Sequence, residues 1–517
     1  MSMNYTSAAE LVDRAAVKFG DDIAFKDAAC EISFRQLREQ SRLFASQLVK
    51  HAKTGRTKPI MVYLPKSIKS IVAFMGSMYA SSPYVPMDYN VPMARFDVTA
   101  KNLCPGAVIT DEQGRENLRN AGINLTILIY DELVCGETDD ALIDTNIKNS
   151  TDLDAAYIMY TSGSTGTPKG VTISHRAVLD YTKWLTDTFD INKDSIIGMQ
   201  SAFHFDNSVF DMFAALYTGC KTVIIPEVLF MYPEKLFDFM NEEHISIIFW
   251  VPTVMISAAN SGILEAKKLE DLKLILFAGE VMPIKQLNQW INAYPECEFV
   301  NMYGPTEATD IVLYYVVDRE YKTNETLPIG IPCANMRAII LNEKNELCRQ
   351  GEQGELCVLG SGISMGYWNS PQLTEKAFVQ NPLNNKYYEK IYRTGDLVYE
   401  AEDGNIIFIG RADSQIKLRG NRIELGDIEA AASSMQNIKN CCAVFDAEKE
   451  EIVLFLETDA DIIQRKFNME LKKYIPSYMI PQRIVSMPEF PHTPSGKIDR
   501  QKLKKDYIVK EERKFLK

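Results

Sequence analysis

Along the first 330 residues, short apolar runs alternate with segments whose apolar residues recur at helical spacing. Residues 60–64 predict a buried strand, and residues 66–80 predict a helix after it. Ser33 and Gln36 fit the capping box of an earlier helix. Further strands are predicted at residues 107–110, 125–129, 156–160, 222–225, 245–250, 274–277 and 299–302. The alternation is typical of an α/β fold with layered, mainly parallel sheets.

The pattern changes after residue 330, where glycines rather than helical segments separate the apolar runs. We expect a small β-rich, more antiparallel subdomain at this point, following the large layered region. Its predicted strands lie at residues 337–341, 354–359 and 405–408.

The 517 residues are too many for one hydrophobic core, because single cores stop growing near about 250–300 residues. We place a domain boundary at the sequence GRAD, residues 410–413. Residues 1–412 then form an N-terminal core domain, and residues 413–517 form a small, mobile α+β C-terminal domain.

The chain carries 56 basic and 69 acidic side chains, a net charge of −13. That charge excludes non-specific binding to nucleic acid, but it leaves room for a nucleotide site with local positive charge. The ten cysteines form no C-x-x-C pair, and the five histidines lie at no metal-ligand spacing. The N-terminus is charged, and the longest apolar stretch, residues 245–256, is too short to cross a bilayer. We therefore expect a cytoplasmic protein without stable membrane insertion.

The segment YTSGSTGTPKG, residues 160–170, concentrates groups that bind phosphate. Its glycines let backbone N–H groups turn toward an anion, while five hydroxyls and Lys169 add further donors. It is not a Walker A loop, because Pro168 stands where that motif needs its second glycine. A P-loop kinase or GTPase is therefore disfavoured.

Four further segments join this loop in one order along the chain, and together the five resemble the motifs of the adenylate-forming (ANL) superfamily. That superfamily includes acyl-CoA ligases, luciferases and amino-acid adenylation domains. The four are NMYGPTE at residues 301–307, YRTGD at 392–396, GRADSQIKLRGNRIELG at 410–426 and PSGKIDR at 494–500.

The resemblance implies a two-step reaction with ATP and Mg²⁺ as cofactors. A carboxylate attacks the α-phosphate of ATP, pyrophosphate leaves, and a thiol then attacks the acyl-adenylate. Glu307 would help to hold Mg²⁺, and Thr161 would touch the phosphates. Lys497 would act in the first step and Lys417 in the second, with Asp413 as the hinge between the two arrangements.

The resemblance also implies a nucleotide site. Tyr303 would pack on the adenine, Asn301 would read its edge, and Asp396 would accept hydrogen bonds from the ribose with help from Arg411. The implied nucleotide-binding set is Thr161, Ser162, Gly163, Ser164, Thr165, Gly166, Lys169, Gly279, Glu280, Asn301, Tyr303, Gly304, Thr306, Asp396 and Arg411.

The segment HFDNSVFD, residues 204–211, is similar to the substrate segment of amino-acid adenylation enzymes. Asp206 then stands where the subgroup pairs a carboxylate with the substrate's α-ammonium, which a fatty or aryl acid lacks. The alternative is that Asp206 caps a helix that begins near Ser208. The remaining implied pocket residues are Asn207, Phe210, Phe249, Leu276, Ala278, Met302, Asp310 and Ile311.

Four bulky walls, Phe210, Phe249, Leu276 and Met302, leave little room for a side chain, so we favour glycine, then alanine of either hand. The amino-acid sequences of the motifs resemble those of stand-alone D-alanine–carrier protein ligases. Those ligases commonly carry cysteine where this chain has Ala278, which puts D-alanine in doubt. A related glycine–carrier protein ligase, used in lipid A glycinylation, fits the crowded pocket better.

Asp310 departs from the subgroup, in which this position is usually apolar. It could give the ammonium a second anionic partner, recognise the second cation of a small diamino acid, or pair with an outer lysine or arginine. We favour the first or the third interpretation.

Only seventeen residues follow Arg500, too few for a carrier domain. We therefore expect a separate carrier protein to present the phosphopantetheine thiol in trans. An acyl-CoA ligase is the alternative, but it would leave Asp206 unpaired. A non-catalytic relative is disfavoured, because Lys169, Glu307, Asp396 and Lys497 are all present.

Overall fold

The structure, a computed structural model, describes residues 5–162, 168–322, 325–411, 415–435, 438–447, 449–458, 460–491, 498, 500 and 502–506. The helices are α1 (Glu10–Phe19), α2 (Phe34–His51), α3 (Ile68–Tyr79), α4 (Met93–Leu103), α5 (Glu112–Asn120), α6 (Tyr130–Leu133), α7 (Asp140–Asn149), α8 (His175–Thr188), α9 (Asn207–Thr218), α10 (Pro233–Glu242), α11 (Pro252–Asn260), α12 (Ile263–Ala266), α13 (Ile284–Ala293), α14 (Pro371–Ala377), α15 (Leu425–Ser433) and α16 (Gln464–Leu471).

The strands divide into groups by sheet. In the two large sheets they are β1 (Ile23–Lys26), β2 (Glu31–Ser33), β3 (Ile60–Tyr63), β4 (Tyr84–Pro86), β5 (Ala107–Thr110), β6 (Ile127–Ile129), β7 (Ala155–Thr161), β8 (Lys169–Ser174), β9 (Ile196–Met199), β10 (Lys221–Ile224), β11 (Ile247–Trp250), β12 (Leu274–Ala278), β13 (Glu298–Tyr303), β14 (Leu313–Val317), β15 (Ile331–Pro332) and β18 (Gly366–Tyr367). In the smaller sheets they are β16 (Met336–Leu341), β17 (Gly354–Gly360), β19 (Phe378–Gln380), β20 (Lys390–Glu400), β21 (Ile406–Arg411), β22 (Gln415–Leu418), β23 (Asn421–Glu424), β24 (Asn440–Asp446), β25 (Glu451–Glu457) and β26 (Arg483–Met487).

A nine-stranded sheet carries Phe249, Leu276, Ala278 and Met302 of the predicted substrate pocket. Its order is β15-β14-β13-β12-β11-β9-β10-β1-β2, and the run from β13 to β1 is parallel. Strands β11 and β12 are buried on both faces, as expected when helices cover both sides of a parallel sheet. Since ligands bind at the carboxyl ends of parallel strands, this edge is where the loops after β9, β12 and β13 can build a site.

A seven-stranded sheet has the order β18-β8-β7-β4-β3-β5-β6, with β4, β3, β5 and β6 parallel. The predicted phosphate-binding loop joins β7 to β8. These two sheets confirm the α/β class with parallel-rich layers.

The predicted β-rich subdomain is a five-stranded sheet in which every pairing is antiparallel. Its longest strand, β20, pairs with β17 on one side and with β19 and β21 on the other. The prediction of an antiparallel subdomain after residue 330 is confirmed.

The chain forms two compact units, residues 1–89, 102–160 and 170–412 in the first and residues 90–101, 161–169 and 413–517 in the second. The second unit contains a hairpin of β22 and β23, a three-stranded sheet of β24, β25 and β26, and the helices α15 and α16. Its core includes Ile428, Ala443, Leu454 and Leu471. This mixture of strands and helices agrees with the predicted α+β class. The functional boundary at residues 412/413 stays a prediction.

The predicted helix of residues 66–80 is shorter at its start, because α3 begins only at Ile68. The capping box of α2 is confirmed, since the Ser33 hydroxyl accepts from the Gln36 N–H at 3.2 Å and the Gln36 side chain accepts from the Ser33 N–H at 3.0 Å. No helix of the described residues combines the length and the apolarity that a membrane span needs.

Candidate active site

Glu307 is a fully buried carboxylate in the short turn that follows β13. The Tyr367 hydroxyl, at the end of β18, donates to its Oε1 at 2.8 Å. The Ser364 N–H also donates to the backbone oxygen of Glu307 at 2.9 Å. This turn is therefore held to the segment around β18 through both backbone and side chain, which fixes where the carboxylate points.

Gly304 explains how the turn packs so closely. A Cβ atom at residue 304 would lie 1.9 Å from the backbone oxygen of Asp310. Only glycine lets the two ends of the GPTEATD segment approach in this way. Thr306 lies between them in the same turn, partly exposed.

Asp396 unites three of the predicted nucleotide residues. Arg411 Nη1 donates to Asp396 Oδ1 at 2.7 Å, and the Tyr303 hydroxyl donates to Oδ2. Asp396 and Arg411 face each other across the antiparallel pair β20 and β21. Burial, with the Asp396 carboxylate second, raises the pKa of Tyr303 well above its ordinary value, so its hydroxyl remains a donor. These three residues belong to separate sequence motifs, and the fold brings them together in one cluster.

Asn301 and Glu280 make contacts of their own within the fold. The Asn301 amide donates to the backbone oxygen of Pro328 at 2.7 Å. Glu280 follows Gly279 (φ +96°) after β12, and its Oε2 accepts from the N–H and the hydroxyl of Thr253 at 3.1 and 2.6 Å. Glu280 thus anchors the start of α11.

The four bulky walls of the predicted pocket are packed in one hydrophobic cluster. Phe210 of α9 and Phe249 of β11 meet edge to face, with ring centroids 5.8 Å apart. Phe249 is the register partner of Leu276 on β12, and Ala278 is the partner of Met302 on β13. The members of the predicted pocket that lie in this cluster are Phe210, Phe249, Leu276, Ala278, Met302 and Ile311, all buried.

Asp206 is partly exposed and directly precedes α9, whose first residue is Asn207. Its side chain makes no capping hydrogen bond, and its backbone (φ −65°, ψ −29°) is helical rather than extended. The capping interpretation of Asp206 is therefore wrong. The carboxylate instead acts electrostatically on the buried Asp310 and Tyr157.

Asp310 is buried, with a left-handed backbone (φ +68°), and accepts a hydrogen bond from the Tyr181 hydroxyl. Burial raises its pKa well above the ordinary value, and the carboxylates of Asp206 and Asp211 act in the same direction. Of the three interpretations of Asp310, pairing with a lysine or arginine is wrong for the described part of the chain, because its partner is a tyrosine.

Tyr157 is the second tyrosine beside these carboxylates. It lies in β7, and its buried hydroxyl has no hydrogen-bond partner among the residues that the structure describes. Burial raises its pKa well above the ordinary value, with smaller contributions from Asp206 and Asp310. No motif marked Tyr157 or Tyr181. Each lies in an element far from Asp310 in the sequence, so only the topology could reveal them.

In the second unit, Thr161 ends β7 with a buried hydroxyl that has no partner within the described ranges. The Ser162 hydroxyl donates to the backbone oxygen of Arg422 at 3.0 Å. Lys169 begins β8, and Lys417 lies in the β22 strand. The predicted residues Gly163, Ser164, Thr165, Gly166, Asp413 and Lys497 lie outside the described residues.

Two family models match the chain, an AMP-binding enzyme over residues 12–368 and an AMP-binding enzyme C-terminal domain over residues 427–497. A D-alanine–D-alanyl carrier protein ligase of Listeria monocytogenes is 34% identical over 96% of this chain and 98% of its own length. Zwittermicin A synthase ZmaJ of Bacillus cereus is 30% identical over 96% of this chain and 94% of its own length.

Among solved structures, the Vibrio cholerae adenylation domain AlmE in complex with glycyl-adenosine-5'-phosphate superimposes with a TM-score of 0.83. It is 22% identical and covers 98% of this chain and 99% of its own, a likeness of fold. The family models cover most of the chain, and the relatives match it almost end to end. The chain therefore belongs to the AMP-binding enzyme family, the adenylate-forming enzymes.

Proposed function

We propose that this protein joins a small amino acid to ATP as an aminoacyl-adenylate, releases pyrophosphate, and passes the aminoacyl group to the phosphopantetheine thiol of a separate carrier protein. The observation that carries the proposal is the position of Asp206 directly before α9, where its carboxylate acts on the buried carboxyl of Asp310. A carboxylate in that position favours a substrate that brings its own positive charge.

In the first step, Asp206 binds the α-ammonium and directs the substrate carboxylate toward the α-phosphate. Asp396 binds the ribose hydroxyls, since each carboxylate oxygen has a lone pair beyond the bonds from Tyr303 and Arg411. Lys169 and the buried Thr161 hydroxyl contact the phosphates. Lys497 stabilises the charge that forms on the reacting groups.

Glu307 suits Mg²⁺, which prefers oxygen ligands and often takes only one or two carboxylates beside the phosphates of its substrate. The described residues contain no group of three or more metal-ligating side chains, so a shared site with the nucleotide fits better than a closed cage. When bound, the ion neutralises phosphate charge. Tyr367 holds the Glu307 carboxylate in place for it.

In the second step, a change of backbone at Asp413 presents the β22 strand, with Lys417, in place of Lys497. The thiol then attacks the carbonyl carbon of the adenylate and AMP leaves. The relatives named as carrier protein ligases support a carrier protein as the acceptor. The ten unbridged cysteines suit the reducing cytoplasm, where we place the reaction.

For the amino acid we propose glycine first, and D- or L-alanine second. Phe249 and Leu276 are fully buried, and Phe210 and Met302 nearly so, which makes the pocket wall a packed surface rather than an open cavity. We assign Asp310 as a second anionic partner of the ammonium. The D-alanine ligases favour alanine by similarity, whereas Ala278 in place of cysteine favours glycine, and with it a role in lipid A modification.

ATP–pyrophosphate exchange with each proteinogenic amino acid, both alanines and the small diamino acids tests the proposal. We expect glycine to give the highest kcat/KM and alanine the next. Preference for a large hydrophobic amino acid would contradict the crowded pocket. Activity only with fatty acids and CoA would replace the proposal with an acyl-CoA ligase.

A further inference from the structure

Lys66 is a half-buried lysine that the reaction described above does not use. It lies between β3 and α3, and its ammonium donates to the backbone oxygens of Met199 and Gln200 at 3.2 and 3.0 Å. Those two residues end β9 and open the segment that leads to Asp206. Lys66 therefore fixes the start of the chain segment that carries the ammonium-binding carboxylate.

Asp211 lies at the other end of the same segment, in the first turns of α9. Its carboxylate is fully buried, and neither oxygen accepts a hydrogen bond from any residue in the described ranges. Lys66 is the cation whose charge acts on it. Its backbone oxygen accepts from the Thr222 hydroxyl at 2.7 Å, which ties this turn of α9 to β10.

Lys66 holds residues 200–206 where they leave β9, through hydrogen bonds to the backbone oxygens of Met199 and Gln200. The positive charge of Lys66 also acts on Asp211 in α9, just after Asp206. Burial raises the pKa of Asp211 well above its ordinary value and so favours its neutral form, and the hydrogen bonds from Lys66 carry the positioning.

We propose that Lys66 is a positioning residue of the amino-acid site, which holds residues 200–206 so that Asp206 meets the substrate ammonium. This inference rests on the proposed amino-acid activation and deepens it. Lys66 touches neither substrate nor nucleotide in this scheme. Its loss should therefore weaken binding of the amino acid and leave binding of ATP nearly unchanged.

The position of Lys66 also gives the site a pH dependence. Burial lowers the pKa of Lys66 to about 8, against the opposing attraction of Asp211 on α9 and Glu227 in the turn after β10. The Asp211 carboxyl has its pKa raised by burial, with Lys66 acting in the opposite direction. As the pH rises through about 8, Lys66 loses its proton, its bonds to the two carbonyls lose their charge assistance, and the segment loosens.

The test compares Lys66→Met and Lys66→Arg with Lys69→Met as the matched control. Lys69 lies three positions further on, in the first turn of α3, and its exposed side chain pairs with Asp131 at 2.6 Å. We expect Lys66→Met to raise the KM for glycine about tenfold while kcat and the KM for ATP change less than about threefold. Lys69→Met should leave all three values unchanged.

The arginine variant tests whether the charge of Lys66, and not only its place in the fold, affects the KM for glycine. Arginine stays charged at every accessible pH, so Lys66→Arg should flatten the rise in KM for glycine that the wild-type protein shows above pH 8. The titration of glycine itself is common to both proteins and cancels in the comparison. If Lys66→Met does not fold, this pH profile decides alone.

Hydrogen–deuterium exchange of the substrate-free protein separates this inference from the proposed function. Lys66→Met should exchange backbone amides faster over residues 200–207 than the wild type or Lys69→Met. Equal increases in the KM for glycine and for ATP, or unchanged exchange over this segment, would overturn the positioning role. Absence of any amino-acid-dependent activity in the wild type would instead overturn the proposed function and leave the exchange comparison valid.

Discussion

Asp206 is the residue on which the proposed amino-acid recognition depends. Replacing it by asparagine keeps the shape and removes the charge that attracts the substrate ammonium. We expect Asp206→Asn to raise the KM for glycine by about 10- to 100-fold, the range of a hydrogen bond to a charged group. Pyrophosphate exchange at varied glycine measures this, and the KM for ATP is the internal control. An unchanged KM for glycine would remove Asp206 from the site.

Asp310 gives a second prediction at this scale, one that depends on pH. Its pKa is raised by burial, so the free protein holds it as a neutral acid over part of the working range. An ammonium beside it favours the anion, so binding releases a proton and tightens as the pH rises toward the raised pKa. We expect the KM for glycine to fall in the wild type as the pH rises toward that raised pKa.

Asp310→Asn should make the KM for glycine independent of pH over that range, because asparagine does not titrate. Tyr181→Phe, which removes the hydrogen bond and keeps the ring, should retain the pH dependence with a shifted midpoint. The same slope in Asp310→Asn as in the wild type would show that another group titrates.

At the residue scale, the sequence predicted the groups that lie in motifs but not their partners. Glu307, Asp396 and Asp206 stand in recognisable segments. Tyr367 donates to Glu307 from β18 and Tyr181 donates to Asp310 from α8, and no local pattern marks a tyrosine whose role is set by tertiary contact. No sequence pattern marks Lys66 either, because the two carbonyl groups that it binds lie more than 130 positions further along the chain.

At the element scale, the strands β11 and β12 and the helix α9 would set the size of the proposed pocket. Shortening a wall should admit a larger substrate. We expect Leu276→Ala to raise kcat/KM for alanine and serine relative to glycine, by about 10- to 200-fold for each methylene accommodated. The variant should also lose about 2–5 kcal/mol of stability, because Leu276 is fully buried.

Ile275→Ala is the matched control for that prediction. Ile275 adjoins Leu276 on β12 and is equally buried, but it belongs to a different hydrophobic cluster. It should lose similar stability in chemical unfolding and keep the preference for glycine. A relaxed specificity in both variants would mean that softening the sheet, rather than the Leu276 wall, sets the selectivity.

The sequence predicts the elements with strong hydrophobic periodicity correctly, but it predicts their first and last residues less accurately. Every predicted strand is present, because each is an apolar run bounded by turn residues. The helix predicted from residue 66 begins at Ile68, since Pro65 and the extended backbone of Ser67 precede it. The order of strands in the nine-stranded sheet could not be predicted, because neighbours such as β9 and β11 are set by crossovers and not by local pattern.

At the scale of the whole molecule, the division of labour between the two units gives a further prediction. We expect Lys497→Ala to reduce glycine-dependent pyrophosphate exchange by at least about 100-fold, because the reacting phosphate loses a charge that acts mainly in the transition state. Transfer from chemically supplied glycyl-adenylate to a carrier protein should remain near the wild-type rate.

The proposed hinge at Asp413 should separate the same two steps in the opposite way. Asp413→Pro restricts one backbone angle at the proposed pivot and should impair carrier loading more than pyrophosphate exchange. A burst of adenylate formation followed by slow loading, in single-turnover experiments, would show this. Equal loss of both steps would contradict a hinge at this residue.

The net charge of −13 is a property of the whole molecule that affects how a carrier protein is recognised. A strongly acidic surface gives no general attraction for an acidic carrier protein, so docking would depend on local basic or apolar groups. High salt should then change the KM for a carrier less than it would for a partner recruited by overall charge.

The proposed substrate specificity is tested most directly by identifying the adenylate that the wild-type protein makes. The measurement is mass spectrometry of the adenylates formed from ATP, Mg²⁺ and an equimolar mixture of the proteinogenic amino acids, D-alanine and small diamino acids. Competition in one vessel reports relative kcat/KM. We predict glycyl-adenylate as the main product, with alanyl-adenylate next. A predominant adenylate of a large hydrophobic amino acid, or none from any amino acid, would contradict the account.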